Sequence, residues 1–144
     1  MDEPLTEKLL EELLDAPSEA AAASFTRDHQ LAESRSLSEY LGELLEAKFL
    51  KRSKVVREAQ INSTYGHQIF TGERMPSRDY VLRLAFAMSC NLRETNRLLQ
   101  AAGKNQLYPK NRRDAIIIWA IEHGKTLQET DAILYQYDQD TITE

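Results

Sequence analysis

From Ser36 onward apolar residues recur at every third or fourth position, and no stretch alternates as a half-buried strand would. Leu37, Leu41, Leu44, Leu45 and Phe49 form one such stripe. It is opened by the capping box Ser36-Leu-Ser-Glu39, so the spacing predicts a helix from Ser36 to about residue 50 with that stripe buried. Val55, Val56 and Ala59 mark a short second helix that opens at Ser53. A third covers most of Ser63 to Phe70 before TGERMP breaks it, and a fourth runs from Ser77 to Ser89. Upstream, Leu5, Leu9, Leu10, Leu13 and Leu14 make the apolar side of a short amphipathic helix stopped by Pro17, and the Ala- and Ser-containing stretch up to Arg35 reads as a tether.

Shifting the chain against itself by 35 residues adds a second level of pattern. RDYVLRLAFAMSCNLRETNRLL, Arg78 to Leu99, aligns without gaps to RDAIIIWAIEHGKTLQETDAIL, Arg113 to Leu134. Each unit reads as a helix, a tight turn and a second helix opened by a capping box, Asn91-Leu-Arg-Glu94 and Thr126-Leu-Gln-Glu129. Two copies are too few for a solenoid, which typically needs at least three. Ile116, Ile117, Ile118, Trp119 and Ile121 wrap most of one helix circumference in apolar side chains. A helix at the end of so small a domain seldom buries every side against its own chain, so a homodimer through the C-terminal hairpin is expected.

Composition narrows the class. Leu, Ala, Glu and Arg dominate the 144 residues while only five Gly and four Pro punctuate them, which predicts an all-α fold of one domain plus an appendage. The single Cys90 cannot form an internal disulfide, and MDEPLTEK lacks the basic flank and apolar run of a signal peptide. The longest apolar run, Ala115 to Ile121, falls far short of the roughly 20 residues of a membrane span, so a cytoplasmic protein with no membrane segment is expected. The net charge of −5 is unevenly distributed: −6 over residues 1–35, +3 over 36–103 and −2 over 104–144. The basic excess surrounds the third predicted helix, and local charge is what a phosphate backbone feels within a screening length of about 10 Å.

Catalytic patterns are absent. His29, His67 and His123 are scattered, with no second His or Cys at metal-ligand spacing, so the sequence supports neither a metal site nor a His-based triad. Gly124-Lys125-Thr126 looks like the end of a phosphate loop, but Trp119 stands where that loop requires Gly. No enzyme activity and no cofactor are expected. The stretch INSTYGHQIFTGERMPSRD, Ile61 to Asp79, is different in kind. A solvated helix face usually carries Lys, Glu and Ala, whereas this one offers Asn, Ser, Thr, His and Gln, with a Gly in the middle.

A short helix, a turn of three to four residues and a second helix is helix-turn-helix spacing. Residues 36 to about 100 resemble the XRE family, the lambda-repressor-like DNA-binding domain. The resemblance is carried by Val55-Val56, Ile61, Ile69, the loop Gly72-Glu73-Arg74-Met75-Pro76, and Leu82, Leu84, Ala85 and Met88. It implies a helix-turn-helix domain over residues 36–103, flanked by the acidic helix and tether of residues 1–35 and by the hairpin of residues 104–144 packed on the same domain. The chain departs from the family pattern at Val56, Gln60 and Gly66, where a small residue, Gly and a β-branched residue are common. The resemblance places positions 56 and 66 face to face, so Gly66 would make room for Val56, and a left-handed turn would strain Gln60.

The resemblance also implies a double-stranded DNA partner. The third helix would enter the major groove with Asn62, Ser63, Thr64, His67, Gln68 and Thr71 reading bases, and Lys51, Arg52, Lys54, Arg57, Arg74 and Arg78 would hold phosphates. The bland alternatives are that Asn62 and Ser63 only cap the helix, and that Arg78 pairs locally with Asp79. The expected function is a sequence-specific transcriptional regulator. The competing expectation is a non-enzymatic helical adaptor that keeps the fold but binds a protein, through the polar third helix or through Leu5, Leu9 and Leu13.

Overall fold

Seven α-helices and no strand make up residues 36–143, the part of the chain that the computed structural model describes. They are α1 (Leu37–Ala47), α2 (Arg52–Glu58), α3 (Ser63–Thr71), α4 (Arg78–Ala87), α5 (Leu92–Ala101), α6 (Arg112–Glu122) and α7 (Leu127–Gln136). The fold of this part is all-α. The Leu5–Leu14 stripe and the tether lie outside the described residues. Among the described residues no helix is long and apolar enough to cross a membrane.

Local chemistry explains where these helices begin and end. Ser36, Asn62, Ser77, Asn91, Asn111 and Thr126 each accept a first-turn backbone N–H through the side chain. The boxes at Asn91 and Thr126 are complete in both directions. All seven helices stop the same way, on a residue of positive φ followed by an N–H that reaches back five positions: Leu50 to Leu45 (2.9 Å), Ile61 to Val56 (3.1 Å) and Cys90 to Ala85 (2.9 Å) are three of them. Gly fills that position in three cases, whereas Phe49, Gln60, Ser89 and Asp138 hold φ between 53° and 59° in the other four, each at a cost of about 1 kcal/mol. Phe49 corrects the expected stripe. It lies beyond the end of α1, so its side chain leaves the buried face and is 95% exposed. Nothing among the described residues explains an exposed aromatic there.

One core runs through all seven helices, with Leu41, Val55, Ile69, Leu82, Leu84, Leu98, Leu99, Ile117 and Leu134 essentially inaccessible to solvent. Each such side chain contributes about 1.5–3 kcal/mol on burial, so the C-terminal hairpin is part of the same folding unit as α1 to α5.

The repeat seen in the sequence is built as a reciprocal pair. Arg78 donates through both terminal nitrogens to Asp114 (2.9 and 2.8 Å), through Nε to the carbonyl of Asn105 and through Nη2 to that of Gln106 (3.1 Å each). Thirty-five residues on, Arg113 donates to both oxygens of Asp79 (3.0 and 3.2 Å) and to the carbonyls of Asp140 and Thr141. Asn96 accepts the N–H of Leu107 (2.9 Å) just as Asp131 accepts that of Ile142 (2.6 Å), which extends the equivalence past the aligned segments to residues 107 and 142. Because each Arg reaches the Asp of the other unit, and α4 packs on α7 while α5 packs on α6, the units are related by a local two-fold. A translational stack would leave one Arg and one Asp unmatched at its ends.

Candidate nucleic-acid interface

The α2-turn-α3 pair presents the polar face, and its spacing depends on one glycine. A Cβ placed on Gly66 would stand 2.7 Å from Val56 Cγ2 and nearer still to Cγ1, so α2 and α3 can approach this closely only with no side chain at position 66. Gln60 adopts the left-handed turn despite its Cβ, with φ of 59°. Its carbonyl is held by Arg83 Nη1 (3.2 Å), while Arg83 Nε reaches the carbonyl of Ile142 (3.2 Å). The Arg83 guanidinium sits 4.4 Å from the centre of the Tyr80 ring, which packs against Tyr65 of α3 at 5.1 Å. The turn and α3 are thus braced from α4 and from the end of the second repeat unit. Arg83 had no sequence signal, since its partners are two main-chain carbonyls 23 and 59 residues away.

Ser63, Thr64, His67 and Thr71 are exposed on α3, and Gln68 is half-buried beside them. Asn62 is the N-cap. Its Oδ1 accepts from Thr64 N (2.9 Å) and Tyr65 N (3.3 Å), leaving only its amide N–H groups to offer. Thr71 Oγ1 donates to the Gln68 carbonyl at 3.2 Å, so its hydroxyl is turned back along the helix. The outward-facing set therefore centres on Ser63, Thr64, His67 and Gln68. Between α2 and α3 lies an open depression of about 480 Å³ with Val56 and Ile61 as its apolar lining and Arg52, Arg57, Ser63 and His67 around it.

The cations divide into two groups. Lys51, Arg52, Arg57 and Arg74 are exposed and make no ion pair among the described residues, while Lys54 lies 3.9 Å from Glu58 in an exposed pair worth little. Lys51, Arg52 and Lys54 crowd the start of α2, which has no side-chain cap and no acid in its first turn. The helix dipole disfavours cations there by about 0.3–1 kcal/mol each, so they are not placed to stabilise α2. Arg78 leaves the phosphate set. Four of its five N–H donations are spent on Asp114 and two carbonyls, and it joins the repeat units instead of pairing locally with Asp79.

Asp114 is the buried half of that clamp. Burial alone would raise its pKa, but the hydrogen bonds from Arg78 and from the Tyr108 N–H (3.0 Å), with the charges of Arg78 and Arg113, hold its carboxyl below the usual value. Burial pushes the Cys90 thiol up to about 12, which leaves it protonated and inert. Among the described residues no three His, Cys, Asp or Glu side chains gather as a metal ion would require.

On the α6–α7 side, Ile117 and Ala120 are buried and Ile116, Ile118 and Ile121 half-buried, while Trp119 stays 47% exposed. The apolar circumference read from the sequence thus narrows to one open strip. Compared with family models, curated proteins and solved structures, the chain matches none.

Proposed function

We propose that this chain is a sequence-specific DNA-binding regulator of XRE-like helix-turn-helix type, with α3 in the major groove and the cations of α2 and of the α3–α4 loop on the flanking phosphates. The observation that carries the reading is the pairing of an uncharged, hydrogen-bonding α3 face with exposed cations, of which only Lys54 has an ion-pair partner, the exposed Glu58, among the described residues. Ser, Thr, His and Gln at Ser63, Thr64, His67 and Gln68 can address base edges, whereas Lys51, Arg52, Lys54, Arg57 and Arg74 carry charge without sequence information. Five phosphate contacts would give a salt slope no steeper than about −4.5. Selection of full-length protein against a pool of random duplexes at two salt concentrations tests this. Enrichment of one motif, with affinity falling as salt rises, is expected. Absence of enrichment together with salt-independent retention would refute it.

The adaptor reading has one observation in its favour, the aromatic strip of α6 and α7, where Trp119 and Tyr137 are about half exposed.

A further inference from the structure

The 35-residue equivalence exposes a surface that this chain covers once and leaves open once. In the first unit Val81 and Leu84 of α4, with Leu98 and Ala102 of α5 and its C-cap, are all buried, because α1 lies against α5 and α2 against α4. The edge of α1 facing α5 is fixed by Lys48 Nζ on Glu94 (3.2 Å) and by a hydrogen bond between Arg97 and the Tyr40 hydroxyl. The residues 35 positions further on are Ile116, Trp119, Ile133 and Tyr137. These four line an open groove of about 500 Å³ between α6 and α7, together with Ala115 and Arg112, and no described helix lies across it.

We propose that this groove binds an amphipathic α-helix of a partner protein, lying along α7 as α1 lies along α5. The inference holds whichever reading of α3 is right. The covered copy of the surface states what the open copy accepts: a helix with apolar residues spaced like Leu37, Leu41 and Leu44 of α1, all buried. Charge specifies the edge. Glu129 stands where Glu94 does and makes the same capping contact to the N–H of Thr126 (2.9 Å), yet no cation pairs with it among the described residues. Ala132 stands where Arg97 does, and the nearby Lys125, whose charge reaches Glu129, lies 5.8 Å from the centre of the Trp119 ring without forming an ion pair, so this flank keeps the acid and lacks the paired cations of the first unit. The partner helix therefore carries Lys or Arg where α1 carries Lys48. A second copy of the chain fits less well. Two grooves brought face to face meet rim to rim and leave both floors unfilled, whereas one convex helix fills one groove.

Trp119 is the only Trp in the chain and lies in the groove, so its fluorescence reports occupancy directly. The probe is a side-chain-stapled peptide with the sequence of residues 36–48, stapled because an unconstrained helix shorter than about 12–15 residues is marginal in water. Added to full-length protein, it should shift Trp119 emission to shorter wavelength with saturation. Leu41→Asp in the peptide, or Ile133→Asp in the protein, should weaken binding at least about tenfold, because a charge cannot enter the groove unpaired. Glu129→Gln, which keeps the capping contact, should weaken it about threefold at low salt and little at high salt. If Ile133→Asp fails to fold, Ala115→Arg at the half-buried edge is the substitute. The proposal is overturned by no shift at about 1 mM peptide, which sets the weakest affinity worth the name. A shift that survives both protein variants also overturns it, as does a blue shift that grows with protein concentration alone, which would mean that a second copy fills the groove.

Discussion

The contact between Gly66 and Val56 can be tested by a double-mutant cycle whose magnitudes follow from the geometry. Gly66→Ala sets a methyl group 2.7 Å from Val56 Cγ2, inside any real carbon contact, and its neighbour on the other side is closer still. Both obstructing atoms belong to a β-branched side chain that is 5% exposed and has no room to rotate away, so α2 and α3 must separate. Overpacking of this kind costs about 1–3 kcal/mol, and the gain in helix propensity returns at most about 1 of that. Val56→Ala alone removes two buried methyl groups and leaves a void, for about 2 kcal/mol. Combined, the new methyl occupies the space the old ones left, although the two Cβ atoms start only 3.1 Å apart and the helices must still give by a few tenths of an ångström. The double variant should therefore lie within about 1 kcal/mol of the parent, for a coupling of about 2 kcal/mol. Urea unfolding of the four proteins, with m-values compared to ensure a common unfolded state, measures it. Effects that add within about 0.5 kcal/mol would show that position 66 is not where α2 and α3 are held apart.

Arg78→Ala should destabilise by about 3–5 kcal/mol, since it strands a buried carboxylate, and should leave the salt slope of any DNA binding unchanged, because the guanidinium's donors are spent on Asp114 and two carbonyls. Asp114 has a folded pKa below its unfolded value of about 3.9, so its contribution is complete above that pH and lost as pH falls through the folded value; the advantage of the parent over Asp114→Asn should be constant near neutrality and shrink below about pH 4 in thermal melts. With the thiol raised to about 12 by burial, Cys90 should resist a thiol-reactive dye at pH 8 and become labelled at the rate of global unfolding; rapid labelling of native protein would contradict its burial. His67→Ala or Gln68→Ala should cost about 1–3 kcal/mol on a selected duplex and little on others, whereas Arg52→Ala should weaken all duplexes and lower the salt slope by about one; equal losses on every sequence from all three would end the assignment of α3 as the reading element.

Much of this molecule is determined by its sequence taken alone, because the forces involved act over a few residues. Caps such as Asn91 with Glu94, apolar stripes at helical spacing and the 35-residue repeat were legible for that reason, as was the mutual fit of Val56 and Gly66 once the family likeness set them opposite each other. What the sequence misplaced or passed over turned on where a helix stops or on partners far along the chain. Phe49 continues the stripe of α1 by spacing, but the helix ends two residues earlier and turns it outward. Arg78 has the charge and the neighbourhood of a phosphate ligand, yet its guanidinium is claimed by Asp114 and two carbonyls from 27 to 36 residues away. Arg83 is one unremarked cation in a helix until the fold brings the carbonyls of Gln60 and Ile142 within its reach. The repeat shows the boundary most clearly. Its existence is written in the chain, but whether two units stack in file or face each other about a two-fold depends on which Asp each Arg meets. The same tertiary choice leaves Ile116, Trp119 and Ile133 uncovered where Val81, Leu84 and Leu98 are buried, because the chain supplies α1 and α2 to one unit and no described helix to the other.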